Sequence, residues 1–153
     1  ANERGMQNVA FVRCTIDLID SVFAEDEVNE IWLTFSDPQP KRIKKRLSSS
    51  NFLNKYKNFL NKEGTIHIKT DNRLLFEYSY ALAKENNFFI TFMSRDVYNE
   101  DNLPEPVTGI QTFYENQFLA KGSKIHYLEY KIHDKHAFIE PDEFNNTEAI
   151  KYK

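Results

Sequence analysis

Apolar positions along this chain switch between short runs and a helical spacing, and the switches mark out its elements. "NVAFVRC", Asn8 to Cys14, is short, β-branched and aromatic, which predicts a strand. Ile16, Leu18, Ile19 and Phe23 then fall as in a short helix. "EIWLTF", Glu30 to Phe35, is apolar on both faces, the pattern of a strand buried by helices on each side. "SSSNFLNKYKNFL" opens on serines suited to N-capping, and Phe52, Leu53, Tyr56, Phe59 and Leu60 share one helical face. Glu63-Gly64 ends that helix, and "TIHIK", Thr65 to Lys69, predicts a strand. Thr70 or Asp71 can cap the next helix, whose buried stripe is Leu74, Leu75, Tyr78 and Leu82. "FFITFMSRDVY" predicts a strand and its extension. Beyond Pro104 and Pro106 come a short helix near Thr112 to Leu119 and a last strand, "KIHYLEYKI".

Strands and helices in alternation imply an α/β fold with a mostly parallel sheet covered on both faces. Near the end, two strands follow without a long helix between them, which suggests an antiparallel edge.

The chain has 153 residues, enough for about one domain with a real core. Thirteen Phe and eight Tyr against four Gly make it globular, and exclude collagen-like or low-complexity classes. No apolar run approaches the roughly eighteen residues of a membrane span. "ANERGMQNV" carries no apolar signal core, so nothing argues for secretion. Cys14 is the single cysteine and has no internal partner, which fits a reducing cytoplasm. The sequon at Asn145 is then read as chance.

Net charge is −3, but the charge is unevenly placed. Between Pro38 and Lys62 stand eight Lys or Arg and no acid, whereas the segment 133–148 is rich in acids. An acidic molecule can still bind a polyanion through one basic face. A bare cluster of this kind is more often a solvated surface.

Two carboxylates give the row its interest. Ligands of open α/β sheets collect at the carboxyl ends of the strands. Asp37 lies just past the strand ending at Phe35, and Asp71 just past the strand ending at Lys69. Neighbouring strands lie about 5 Å apart, so both acids would then face one crevice. A plain helix cap is an equal reading for Asp71, and a turn residue for Asp37. In "FSDPQPKRIKKR", Asp37 stands before two prolines and five cations, more than a turn requires. His133 and His136 have a spacing seen in metal sites, but in a polar tail they read as solvated, and no metal is expected. His67 alternates within a strand and reads as packed or surface.

"FSDPQPK", "FLNKYKNFLNKEGTIHIKTDN" and "TFYENQFLAKGSKIHYLEYK", in this order and spacing, resemble the bacterial tRNA guanine-N7 methyltransferase family, TrmB. The likeness runs from Asn8 to about Lys131. It implies a Rossmann-like S-adenosylmethionine-dependent methyltransferase sheet, truncated at its N-terminus, with an antiparallel pair at the C-terminal edge. On that view residues 1–132 form a partial methyltransferase domain lacking its first two strands, and 133–153 a polar, acidic extension.

The resemblance also assigns roles. Asp37 matches the family's proposed catalytic acid, which lies beside the cofactor. Lys41 matches a residue contacting the RNA, as does Asp71. Thr112, Phe113, Tyr114 and Glu115 match the Thr-x-x-Glu box assigned to substrate. Arg42, Lys44, Lys45 and Arg46 would grip phosphates of a tRNA. Thr15 stands where the family has an acid contacting S-adenosylmethionine, with Asp17 two residues on. Gln39 stands where the family has Trp. No Gly-x-Gly occurs, so the glycine-rich cofactor loop is missing from this sequence and the chain alone is expected to be inactive.

Two rival readings remain. An exocyclic-amine methyltransferase carries a similar turn, but with adjacent prolines and an aromatic that Asp37–Pro40 lacks. A non-catalytic RNA-binding module would need no cofactor loop. In the family's sheet the two missing strands separate "NVAFVRC" from "EIWLTF". Their loss would leave an edge prone to self-association, or displace the N-terminal strand.

Overall fold

A computed structural model describes residues 5–132 and 136–145 of the chain. Four strands form one sheet: β1 (Val28–Thr34), β2 (Leu60–Thr70), β3 (Phe89–Ser94) and β4 (His126–Lys131), in the order β1-β2-β4-β3. β1 and β2 are parallel, while β4 runs antiparallel to both β2 and β3. The antiparallel edge is therefore present. The sheet is mixed rather than mostly parallel, because β4 inserts between β2 and β3 in the reverse direction.

One face of the sheet carries Leu33, Ile66, Ile68, Leu128 and Tyr130. Against it pack α1 (Ser50–Tyr56) and α2 (Arg73–Glu85), through Phe52, Leu53, Leu75, Phe76, Tyr78 and Leu82. Period-two strands facing period-3.6 helices explain why these positions alternate or stripe as they do. A smaller cluster on the opposite face joins Val97, Val107, Ile125 and Tyr127 to Trp32, Phe35 and Phe118. It is capped by α3 (Glu105–Gly109), entered through Pro104 and Pro106, and by α4 (Phe113–Ala120).

Three expectations are corrected. The strand anticipated at Asn8–Cys14 does not form, and Phe11 is 86% exposed. A strand needs a neighbour for its backbone groups, and no described strand lies beside this segment. Ile16–Ser21 is a 3₁₀ helix rather than an α-helix, and Thr15 makes no side-chain cap to it. α1 stops at Tyr56, so Phe59 and Leu60 are buried from a turn and from β2 instead. Gly64 lies where the pairing of β1 with β2 shifts register, between Val28 opposite Leu60 and Glu30 opposite Thr65. Its place would put a Cβ 2.5 Å from Leu60 Cγ and 2.8 Å from the Asn61 carbonyl, an approach only glycine permits.

The described C-terminal residues are not a loose polar tail. Phe138 and Phe144 are buried in the main core, and α5 (Asp142–Asn145) ends the described chain. Asn54 and Asn86 each bond both backbone directions of this segment, at Phe138 and at Ile139.

Candidate active site at the carboxyl end of the sheet

The parallel pairing of β1 and β2 continues one residue past β1, where Phe35 N donates to the Lys69 carbonyl at 2.8 Å. Phe35 has a positive φ of 51° and stacks on Phe118 of α4, with ring centroids 5.8 Å apart. The chain bends there, and Asp37 emerges exposed beyond the sheet. Its two carboxylate oxygens accept from Gln39, one from the backbone N and one from Nε2, both at 2.9 Å. Gln39 itself has φ 42°, a left-handed conformation costly for a residue with a Cβ. The turn is therefore held against strain, with its exposed carboxylate tied to Gln39.

At the end of β2, Thr70 Oγ1 accepts from Asn72 N, and Asn72 caps α2 by accepting from Leu75 N. The cap is thus Asn72, neither of the two residues expected. Among the described residues the Asp71 carboxylate has no hydrogen bond or ion pair, so capping does not explain it.

The Thr112 to Glu115 box has two faces. Thr112 caps α4 by accepting from Glu115 N at 3.2 Å, and Glu115 Oε2 accepts from Thr112 N. Glu115 is wholly buried, and its Oε1 lies 2.6 Å from both Lys69 Nζ and Tyr98 Oη. Burial, and then donation to Glu115, push the Tyr98 hydroxyl up to about 12. Lys69 also donates to the Val107 and Ile110 carbonyls. Phe113 and Tyr114 project outward instead, 73% and 63% exposed, with their rings edge to face. Core packing, the ordinary fate of a tyrosine, is not where Tyr114 goes.

Lys41, Arg42 and Lys44 are exposed in the turn that follows Asp37, and Arg42 N donates to the Gln39 carbonyl. Lys45 is exposed but engaged with Asp17 at 3.3 Å. Arg46 departs from the phosphate-gripping role that resemblance implies. Its guanidinium is wholly buried, donates from Nε to the Pro38 carbonyl at 2.8 Å, and lies over the Tyr78 ring at 4.3 Å. A side chain with no exposed surface cannot meet a phosphate.

A polar cluster on the opposite sheet face surrounds His67, and its other members, Trp32, Tyr127, Glu30 and Glu129, were not singled out from the sequence. His67 is buried, stacked on Trp32 at 4.0 Å, and its Nδ1 lies 2.8 Å from Tyr127 Oη. Glu129 and Glu30 each come within 3.6 Å of the ring. Alternation along β2 placed His67, but its cross-strand partners show only in the pairing. Among the described residues no group of His, Cys, Asp and Glu could hold a metal; His133 lies outside those residues, and His136 is described. Among them also, no helix is long and apolar enough to cross a membrane.

A mixed α/β sheet ordered β1-β2-β4-β3, with an Asp-Pro-x-Pro turn at the carboxyl end of its parallel pair, is consistent with a Rossmann-like methyltransferase fold. A family model described as "Putative methyltransferase" matches residues 1–128, and the chain belongs to that family. It is 44% identical over 140 residues to a tRNA (guanine-N(7)-)-methyltransferase of Bacteroides fragilis, covering 92% of this chain and 55% of that protein. It is 47% identical over 134 residues to the protein of that name from Christiangramia forsetii, covering 86% and 60%. The Listeria monocytogenes protein of that name is 43% identical over 133 residues, again covering 86% and 60%. The chain spans a little over half the length of these relatives. Their names uphold the family resemblance drawn from the sequence.

The family implies a methyl donor. The described residues do not form the glycine cradle that the resemblance attaches to it. Gly64 lies within β2 and Gly109 within α3, while Gly5 and Gly122 have open space where a Cβ would stand. Thr15 is exposed, while the Asp17 carboxylate pairs with Lys45 and the Asp17 carbonyl accepts from Lys55. Of the residues linked to the cofactor by resemblance, Asp37 alone stands at the carboxyl end of a described strand.

Proposed function

We propose that the protein containing this chain methylates N7 of guanine in tRNA, with S-adenosylmethionine as donor, in the cytoplasm. The observation that carries this is the adjacency of β1 and β2 at their carboxyl ends. In support, Asp37 follows β1, and Lys69 at the end of β2 meets Glu115 of α4, the helix whose Phe113 and Tyr114 are exposed. The donor supplies an electrophilic methyl group. Guanine N7 offers an in-plane lone pair and no proton, so this chain needs no general base. What it must do is position the base and balance the positive charge of the alkylated ring.

Asp37 has the geometry for both, as a carboxylate clamped by Gln39 and open on its outer side. Lys41, Arg42 and Lys44 would meet phosphates and set register without reading bases. Asp71, Phe113 and Tyr114 would contact the RNA directly, with Thr112 and Glu115 holding α4 in place. Residues 1–132 are read as the methyltransferase part, and the outer edge of β1 as a surface for self-association. Incubating the complete gene product with unmodified tRNA and labelled donor tests the reading. 7-Methylguanosine is expected in the digest, and an Asp37→Asn variant should form it at least tenfold more slowly, about 1.4 kcal/mol in the barrier. Label recovered as 6-methyladenosine, or an unimpaired Asp37→Asn enzyme, would sink it.

A further inference from the structure

Beneath the Asp37 turn lies a chain of contacts that ends in the C-terminal segment. Arg46 follows a single 3₁₀ turn (Ile43–Lys45) and points inward, holding the Pro38 carbonyl from below at 2.8 Å. Its guanidinium rests on the Tyr78 ring, while among the described residues Nη1 and Nη2 are buried without a hydrogen-bond partner. Tyr78 Oη donates to Glu140 Oε2 at 2.5 Å. Glu140 Oε1 accepts from both Ser50 N and Ser50 Oγ, at 3.0 and 2.7 Å, at the start of α1. Pro38, Arg46, Tyr78 and Glu140 thus form one continuous line from the turn to a segment remote from it in sequence.

Charge explains why the line matters. A buried guanidinium is costly without an opposite charge close by. Burial works against the Arg46 cation, and the groups that favour it are Tyr78 and the Glu140 carboxylate. Without Glu140, Arg46 gains by leaving its seat for water, and the Pro38 carbonyl loses its donor. Of the described bonds named here, those from Gln39 to Asp37 and from Arg42 N to the Gln39 carbonyl then remain to hold a strained backbone.

We propose that Glu140 is a positioning residue for Asp37: acting through Tyr78 and Arg46, it fixes the Asp37–Pro40 turn, and residues 136–145 belong to the working site. This rests on the role given to Asp37 above.

The test uses the complete gene product with Glu140→Ala, and with Tyr78→Phe, which keeps the ring under Arg46 and removes only the hydroxyl. Hydrogen exchange is read at the amides of Gln39 and Arg42, both bonded within the turn. Glu140→Ala should speed exchange there about tenfold while Ile66 and Ile68 in β2 stay unchanged; Tyr78→Phe should act in the same direction, less strongly. Turnover should fall by a similar factor, with KM for tRNA unchanged. Wild-type exchange at Gln39 and Arg42 in both variants overturns the proposal, whatever the activity does. So does a rise shared equally by β2, which would mean general destabilisation. An Asp37→Asn control separates the two readings: if it retains full activity, the catalytic assignment fails while exchange still decides the Glu140 link.

Discussion

Lys69 Nζ lies 2.6 Å from the Glu115 carboxylate, with both side chains almost entirely buried. This pair joins the end of β2 to the cap of α4, and the Val107 and Ile110 carbonyls take further Lys69 protons. Removing one member strands a charge in the interior. Lys69→Met alone should cost about 3–5 kcal/mol of unfolding free energy, whereas Lys69→Met with Glu115→Leu should cost far less. Urea unfolding of both variants checks this, and equal losses would contradict it.

Exposure divides the basic row, and salt dependence reads the division. Lys41→Ala, Arg42→Ala or Lys44→Ala should each lower the slope of log K against log salt for tRNA by about 1. Arg46→Ala should lower stability instead, since its guanidinium meets Pro38 and Tyr78 rather than solvent. Titrations at several salt concentrations distinguish the two; a slope change with Arg46→Ala would place that side chain outside.

Phe113 and Tyr114 present rings to water at the start of α4. Stacking a base on such a ring is worth about 1–3 kcal/mol. Tyr114→Ala should therefore weaken tRNA binding by roughly tenfold or more, and change stability by no more than about 0.5 kcal/mol, as at other exposed positions. A variant that binds normally would remove Tyr114 from the interface.

Local signals were legible in the chain, and remote partnerships were not. α2 was legible, because its stripe of Leu75, Tyr78 and Leu82 repeats at helical spacing against one sheet face. So was the Asp37 turn, because proline chemistry and a strand end are local. Arg46 was hidden. Five cations in a row read as surface, and its burial is decided by Tyr78 and Glu140, remote in sequence. The early start of β2 was hidden for a related reason: Phe59 and Leu60 extend the apolar spacing of α1 into a segment that tertiary packing pulls into the sheet. Nor did "NVAFVRC" reveal that it has no described neighbour, since a strand's partner is never written in the strand itself.

Two histidines give the fold a pH dependence whose sign follows from burial. His67 faces Trp32, Tyr127, Glu30 and Glu129; burial lowers its pKa, opposed by Glu129 and then Glu30. His126 faces Phe76 and the Arg95 carbonyl; burial lowers it too, opposed by that carbonyl bond and then by Glu77. An unfolded histidine titrates near about 6.5. Above that pH both rings are neutral in either state, so their contribution is fully present. As pH falls below it, the unfolded chain takes up protons that the folded chain resists, and stability declines until the folded rings protonate as well. The urea midpoint should therefore drop between about pH 7 and 5, and a His67→Gln, His126→Gln variant should show a shallower fall. If the double variant declines as steeply as the parent over that window, the dependence belongs to other groups, and the buried rings are not its source.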